Sequence, residues 1–101
     1  MADSSAWTFF SNHGHILLVL AQDPDVRLRD LAERVGITER AVHRLLAEME
    51  EAGVITRQRE GRRNHYSVNR SERLRHPVEA HRTVGDLVDM VWNDQETNSE
   101  R

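Results

Sequence analysis

Two short helical periods separated by a glycine constrain the fold of this chain more than any other sequence feature. Each period places apolar residues three and four positions apart, which puts them on one face of a helix. The apolar positions are Leu28, Leu31, Ala32 and Val35 in the first period and Val42, Leu45, Leu46 and Met49 in the second. The pattern predicts two short helices that pack on a shared core.

The residues between the two periods predict a tight turn. Gly36 can adopt the positive φ that ends a helix, Ile37 supplies an apolar side chain, and Thr38 is a good N-cap for the second helix. Arg27 occupies the N-cap position of the first helix, where it provides no capping hydroxyl. This spacing is that of a helix-turn-helix motif over residues 27–53.

In such a motif the start of the second helix is the part that can enter the major groove of DNA. Side chains that lie off the apolar face there are the candidates for contacts with bases and phosphates. The predicted recognition-helix contacts are Thr38, Glu39, Arg40, His43 and Arg44.

A period of two replaces the helical period after Gly53, and residues 54–68 predict a β-hairpin. We expect Ile55, Tyr66 and Val68 to face the core and the polar residues to face outward. The turn over residues 60–64 contains Gly61 and Asn64 and carries two arginines that suit a narrow minor groove. The predicted DNA contacts of this wing are Arg57, Arg59, Arg62, Arg63 and His65.

From residue 7 to residue 92 the chain resembles the winged helix-turn-helix transcriptional regulators of the MarR and ArsR type. The resemblance is carried by LRDLAERVGIT, then ERAVHRLLAEMEEAGVI, then GRRNHYSV, in that order. It implies a small homodimeric regulator that places its second motif helix, residues 38–53, in the major groove with the arginine wing beside it. The predicted fold class is α+β and mainly helical, a single domain over residues 1–92 with a two-stranded wing.

Apolar flanks predict additional helices over residues 13–22 and 77–92, with Asn12 as the cap of the first and Pro77 at the start of the second. A 101-residue chain builds only a thin core, so these flanks are expected to form a dimer interface. The predicted interface residues are Trp7, Phe9, Phe10, Val84, Leu87, Val88, Val91 and Trp92. Residues 93–101 are polar and aperiodic, which predicts a disordered tail.

The net charge of −3 conceals a basic segment that coincides with the motif. Residues 27–76 hold twelve arginines against eight acids, a net charge of +4, whereas residues 1–26 carry −3 and residues 77–101 carry −4. This distribution favours double-stranded DNA as the partner. The chain has no cysteine and no apolar run long enough to span a membrane, so we expect a cytoplasmic protein without disulfides.

Other functions receive less support from the sequence. His13 and His15, or His76, Glu79 and His81, carry metal-ligating groups, but their spacing does not bring them onto one helix face. No nucleophile, phosphate loop or acid–base pair indicates an enzyme, and we expect neither metal nor cofactor. The alternative is a winged-helix module that binds another protein without binding DNA. An effector, if there is one, would act at the interface of the terminal helices.

Overall fold

The computed structural model describes residues 7–93, which form four helices and a two-stranded antiparallel sheet. The predicted tail over residues 93–101 lies outside this range, apart from Asn93. In chain order the elements are α1 (Asn12–Gln22), α2 (Leu28–Val35), α3 (Glu39–Glu51), β1 (Ile55–Glu60), β2 (Arg63–Val68) and α4 (Val84–Trp92). The predicted α+β class and winged helix-turn-helix fold are confirmed. None of the described helices is long and apolar enough to cross a membrane.

The turn between α2 and α3 has the two predicted helix caps. Gly36 ends α2 with a φ of 86°, and its N–H donates to the carbonyl oxygen of Ala32 at 2.8 Å. Thr38 begins α3, where its hydroxyl accepts a hydrogen bond from the Ala41 N–H at 3.0 Å. These two caps set the crossing of α2 over α3, which buries Leu31 and Val42 completely.

Helix α1 runs through the centre of the molecule, with residues 16–20 all buried. It packs against α2, α3, β2 and α4, which explains why its apolar run covers every side of the helix. Ser11, not the predicted Asn12, is the N-cap, because the Ser11 side chain accepts from the Gly14 N–H while Asn12 already lies in the first turn.

The hairpin has a different face assignment from the one predicted. Its register pairs Ile55 with Val68 and Arg57 with Tyr66, and directly opposed residues point to the same face. Arg57 and Arg59 therefore share a face with Ile55, and His65 lies on the other face. Residues two positions apart in a strand point to the same face, so Arg57 and Arg59 could not lie on the face opposite Ile55. The prediction of their face was wrong. They are exposed because the strand extends beyond the core after Ile55.

The last helix begins seven residues later than predicted, at Val84 rather than Pro77. Residues 70–83 form turns held by backbone hydrogen bonds, among them Leu74 N–H to Arg82 oxygen. A capping box then starts α4: the Thr83 hydroxyl accepts from the Asp86 N–H, and the Asp86 carboxylate accepts from the Thr83 N–H. This reciprocal cap supplies the start signal that Pro77 alone does not.

The stripe of α4 that was assigned to a dimer interface partly faces this chain's own core. Val84 and Val88 are only 2% and 6% exposed, because they pack into the cluster that contains α1. The assignment was wrong for these two residues. Leu87 and Val91 are half-buried, and Trp92 is held in place by its indole N–H, which donates to the Leu18 oxygen at 2.9 Å.

Replacing Leu31 with alanine tests the α2–α3 crossing. Leu31 is fully buried, and removing three carbons leaves a cavity that the capped helices cannot close. We expect Leu31→Ala to lower the free energy of unfolding by about 2 to 5 kcal/mol, measured by urea denaturation. Val78→Ala, at a site that is 76% exposed, is the control and should change stability by less than about 0.5 kcal/mol. Equal effects of the two substitutions would contradict the packing described here.

Candidate nucleic-acid interface

The first half of α3 presents a polar face to solvent. The apolar side chains of Val42, Leu45 and Leu46 turn this helix so that its other side is free. All five predicted recognition-helix residues are exposed: Thr38, Glu39, Arg40, His43 and Arg44. An exposed, N-capped helix start with two arginines is the geometry that can be inserted into a major groove.

The tip of the hairpin lies on the same side of the molecule as the start of α3. Gly61 has a φ of 65°, which allows the tight turn that leaves Arg62 and Arg63 exposed. Both arginines line a cleft of about 210 Å³ together with His43 of α3. The fold therefore brings together two groups of predicted contacts that are about twenty residues apart in the sequence.

Arg27 is a cation of this cleft that the sequence analysis did not include. It stands at the N-cap position of α2, where its side chain makes no cap, and it lines the cleft with the wing arginines. Among residues 7–93, none of Arg27, Arg40, Arg62 and Arg63 takes part in an ion pair. The sequence contained one signal of this role, an arginine at a position where a capping residue is usual. The position of the wing then decides that this arginine lines the cleft.

Two other predicted contacts are already engaged by acids at the far end of α3. The Arg44 guanidinium lies 3.7 Å from the Glu48 carboxylate, whose other oxygen accepts a hydrogen bond from His13 Nε2 at 2.7 Å. Arg57 Nε lies 4.0 Å from Glu50. Glu48 and Glu50 thus each face an arginine of this chain, which reduces their repulsion of a phosphate backbone.

Arg59 and His65 differ in their surroundings from the wing tip. Arg59 Nε donates to the Gly61 oxygen at 3.3 Å and braces the turn. His65 directs Nδ1 to Asp25 at 2.8 Å, in the loop between α1 and α2. This hydrogen bond, together with the charges of Asp25 and Glu60, raises the pKa of His65 against the opposing effect of desolvation.

The remaining histidines do not converge on a metal-binding arrangement. His13 binds Glu48, and His76 Nδ1 accepts from the Val78 N–H at 3.1 Å. Over the described range, no three histidine, aspartate or glutamate side chains lie close enough to hold a metal ion. The structure therefore does not bring together His76, Glu79 and His81 as ligands.

A larger and mainly apolar groove of about 600 Å³ lies away from this cationic cleft. It runs between the start of α1, the end of α3 and the start of α4, and its wall includes Phe10, Leu17, Met49 and Leu87. His13 and Glu48 also line it, and Glu48 is the carboxylate that lies close to Arg44. The groove thus lies beside the starts of α1 and α4, the two terminal helices.

Comparison with known proteins agrees with this geometry. Residues 11–56 match the family model for winged helix-turn-helix DNA-binding domains. No curated protein matches the sequence significantly. The match covers α1, the helix-turn-helix and the first two residues of β1.

Solved structures with this fold are distant in sequence. A mutant of ZitR from Lactococcus lactis has 19% identity and a TM-score of 0.57, covering 95% of this chain and 59% of its own. ZitR in complex with DNA has 20% identity and a TM-score of 0.52, covering 68% and 49%. MepR, a transcription regulator from Staphylococcus aureus, has 20% identity and a TM-score of 0.54, covering 89% and 63%.

PcaV, a transcriptional regulator from Streptomyces coelicolor solved with its natural ligand, has 17% identity and a TM-score of 0.53, covering 90% of this chain and 70% of its own. The chain spans about half to three-fifths of the length of the two ZitR chains. ZitR is described as a zinc-responsive MarR family member. MepR and PcaV are both described as transcription regulators. Residues 11–56 thus match a winged helix-turn-helix DNA-binding family, and the chain has the fold seen in the MarR family member ZitR.

Proposed function

We propose that this chain is a sequence-specific, double-stranded DNA-binding transcription regulator that acts as a homodimer on a pseudo-palindromic operator. The observation that carries the proposal is the shared cleft of His43, Arg62 and Arg63, which puts the recognition helix and the wing on one side of the molecule. A duplex placed there meets the unpaired guanidinium groups of the wing tip and the imidazole of His43. The match to a DNA-binding family and the fold of a regulator solved with DNA support the same reading.

In this proposal α3 enters the major groove with its first two turns. Arg40, His43 and Arg44 face base edges and flanking phosphates, while the acids at the other end of α3 point away from the duplex. The wing tip lies over the neighbouring minor groove, where the negative potential attracts Arg62 and Arg63. Backbone contacts by the wing supply affinity, and contacts by α3 supply sequence preference.

Exposed apolar side chains at both ends of the described chain support a homodimer. Trp7 and Phe9 are 76% and 88% exposed and stack edge-to-face with centroids 4.8 Å apart, and Met90 of α4 is 64% exposed. Burial of these side chains by a second copy would remove them from water. The proposed interface is Trp7, Phe9, Phe10, Leu87, Met90, Val91 and Trp92. Two copies would place their α3 helices about 34 to 36 Å apart on DNA.

A small-molecule effector, in this proposal, binds the apolar groove beside the terminal helices. Such a ligand would touch Phe10 and Leu87 near the proposed interface, and also His13 and Glu48. Occupancy would change the spacing of the two recognition helices and so the affinity for the operator. That PcaV was solved with its natural ligand shows that a protein of this fold can bind one.

The wing arginines are tested by the double substitution Arg62→Ala with Arg63→Ala. Loss of two phosphate contacts should weaken binding to most duplexes alike and reduce the slope of log affinity against log salt by about 2. The measurement is fluorescence anisotropy on the chain's own upstream DNA and on a scrambled duplex, at several salt concentrations. Arg75→Ala with Arg82→Ala removes the same charge far from the cleft and is the control. If the protein bound neither duplex at low salt but bound a protein partner, the chain would instead be a protein-interaction module.

The recognition helix is tested by Arg44→Ala. We expect it to change sequence preference and to cost roughly 1 to 3 kcal/mol on the preferred operator, with a smaller loss on scrambled DNA, because a base contact is lost. Glu48→Gln is a useful companion, since it frees Arg44 without removing it. If Arg44→Ala weakened binding to all sequences equally, Arg44 would be a backbone contact only.

The homodimer is tested by light scattering at micromolar concentration. The chain should have about twice its mass of 11.7 kDa, and Phe9→Ser with Met90→Ser should shift it toward the monomer. Val78→Ser, at an equally exposed apolar site outside the proposed interface, should leave the dimer intact. A monomeric mass for the unmodified protein would rule out the two-half-site arrangement.

A further inference from the structure

The wing is joined to the body of the protein along the outer side of β2, at the loop between α1 and α2. The Tyr66 N–H donates to the Pro24 oxygen at 2.9 Å, and the His65 imidazole donates from Nδ1 to the Asp25 carboxylate at 2.8 Å. These two contacts are adjacent in the strand and in the loop. They act as a single attachment between the wing and the segment that leads into α2.

His65 is poorly placed to be the DNA contact that the sequence predicts. Its Nδ1 is committed to Asp25, and its side chain is one-third exposed, which makes it less accessible than the wing arginines. It lies two residues from Arg63 on the same face of β2, a separation of about 7 Å along the strand. The attachment therefore sits directly behind the cationic tip.

The tip depends on such an attachment because a two-stranded hairpin is only marginally stable in water. Beyond Ile55 the wing residues of β1 are all exposed, so the outer half of the hairpin has little apolar packing to orient it. Asp25 also lines the cleft that contains Arg27, Arg62 and Arg63. Its contact with His65 satisfies a carboxylate that would otherwise compete for these arginines.

We infer that His65 is a positioning residue for DNA binding: through Asp25 it holds the arginine tip of the wing in register with the recognition helix, and it does so more strongly when its imidazole is protonated. The inference rests on the proposed DNA-binding function. It replaces the sequence-based assignment of His65 as a direct contact.

The electrostatic surroundings of His65 set the direction of the pH dependence. Asp25 in the loop raises the pKa of His65 through its hydrogen bond and charge, and Glu60 on β1 adds to the rise. Arg63 on the same strand and Arg70, which lines a pocket with His65, are the neighbouring cations. Because the folded pKa is raised, the attachment is strongest below the unfolded value of about 6.5. It weakens as the pH rises through the folded value.

The first test compares DNA affinity across pH at constant ionic strength, by anisotropy on the preferred duplex. The unmodified protein should bind several-fold more tightly at pH 6 than at pH 8. Asp25→Asn keeps a hydrogen-bond acceptor but removes the charge, so it should flatten this dependence. An identical pH dependence in the two proteins would overturn the inference.

A double-mutant cycle separates positioning from contact. His65→Ala should weaken binding several-fold in the unmodified protein, but it should have little effect when Arg62 and Arg63 are both alanine, because no tip remains to be positioned. His65→Asn can still donate to Asp25 and should recover most of the affinity at pH 8. A loss of the same factor in both backgrounds would show that His65 itself touches DNA.

An NMR titration tests the attachment without DNA. The pKa of His65 should fall in Asp25→Asn, and an unchanged pKa would overturn the attachment itself. Absence of binding to any duplex at every pH would instead overturn the proposed function, whatever the titration shows. The two failures are therefore distinguishable.

Discussion

The packing of α1 against four other elements is the interaction on which the rest of this structure depends. Its central residues, from Ile16 to Leu20, are buried on every side by α2, α3, β2 and α4. In a chain of 101 residues the free energy from apolar burial is limited, so one helix that packs against four other elements forms the centre of the core. Both halves of the candidate DNA-binding surface are thereby attached to the same support, because α3 and β2 each pack on α1.

Several acidic side chains of the protein are paired with its own histidines and arginines. The acids late in α3 are directed at His13 and Arg57, and Asp25 is directed at His65. Each of these exposed pairs contributes little to stability alone. Of these carboxylates, that of Asp25 lines the cationic cleft, and its hydrogen bond to His65 keeps it from pairing with the arginines of the cleft, Arg27, Arg62 and Arg63. Local neutralisation of this kind reconciles a net charge of −3 with a surface suited to phosphate.

Local signals predicted the helix-turn-helix accurately because each depends on a few neighbouring residues. Gly36 has the positive φ expected of it, and Thr38 accepts the hydrogen bond expected of an N-cap. The errors arose where two start signals competed for one helix and where side chains were assigned to the faces of the hairpin. Helix α4 begins at the capping box of Thr83 and not at Pro77. Arg57 and Arg59 lie on the face of Ile55, because side chains two positions apart in a strand point the same way.

The sequence by itself determined the motif, its caps and the basic character of the hairpin, because periodicity and capping act within a few residues of the chain. The tertiary structure decided which cations meet. Arg27 joins the wing tip, and His65 binds Asp25 forty residues away, only because the packing of α1 brings the loop that follows it against β2. It also decided that Val84 and Val88 belong to this chain's own core, since an apolar stripe does not specify which apolar surface will cover it.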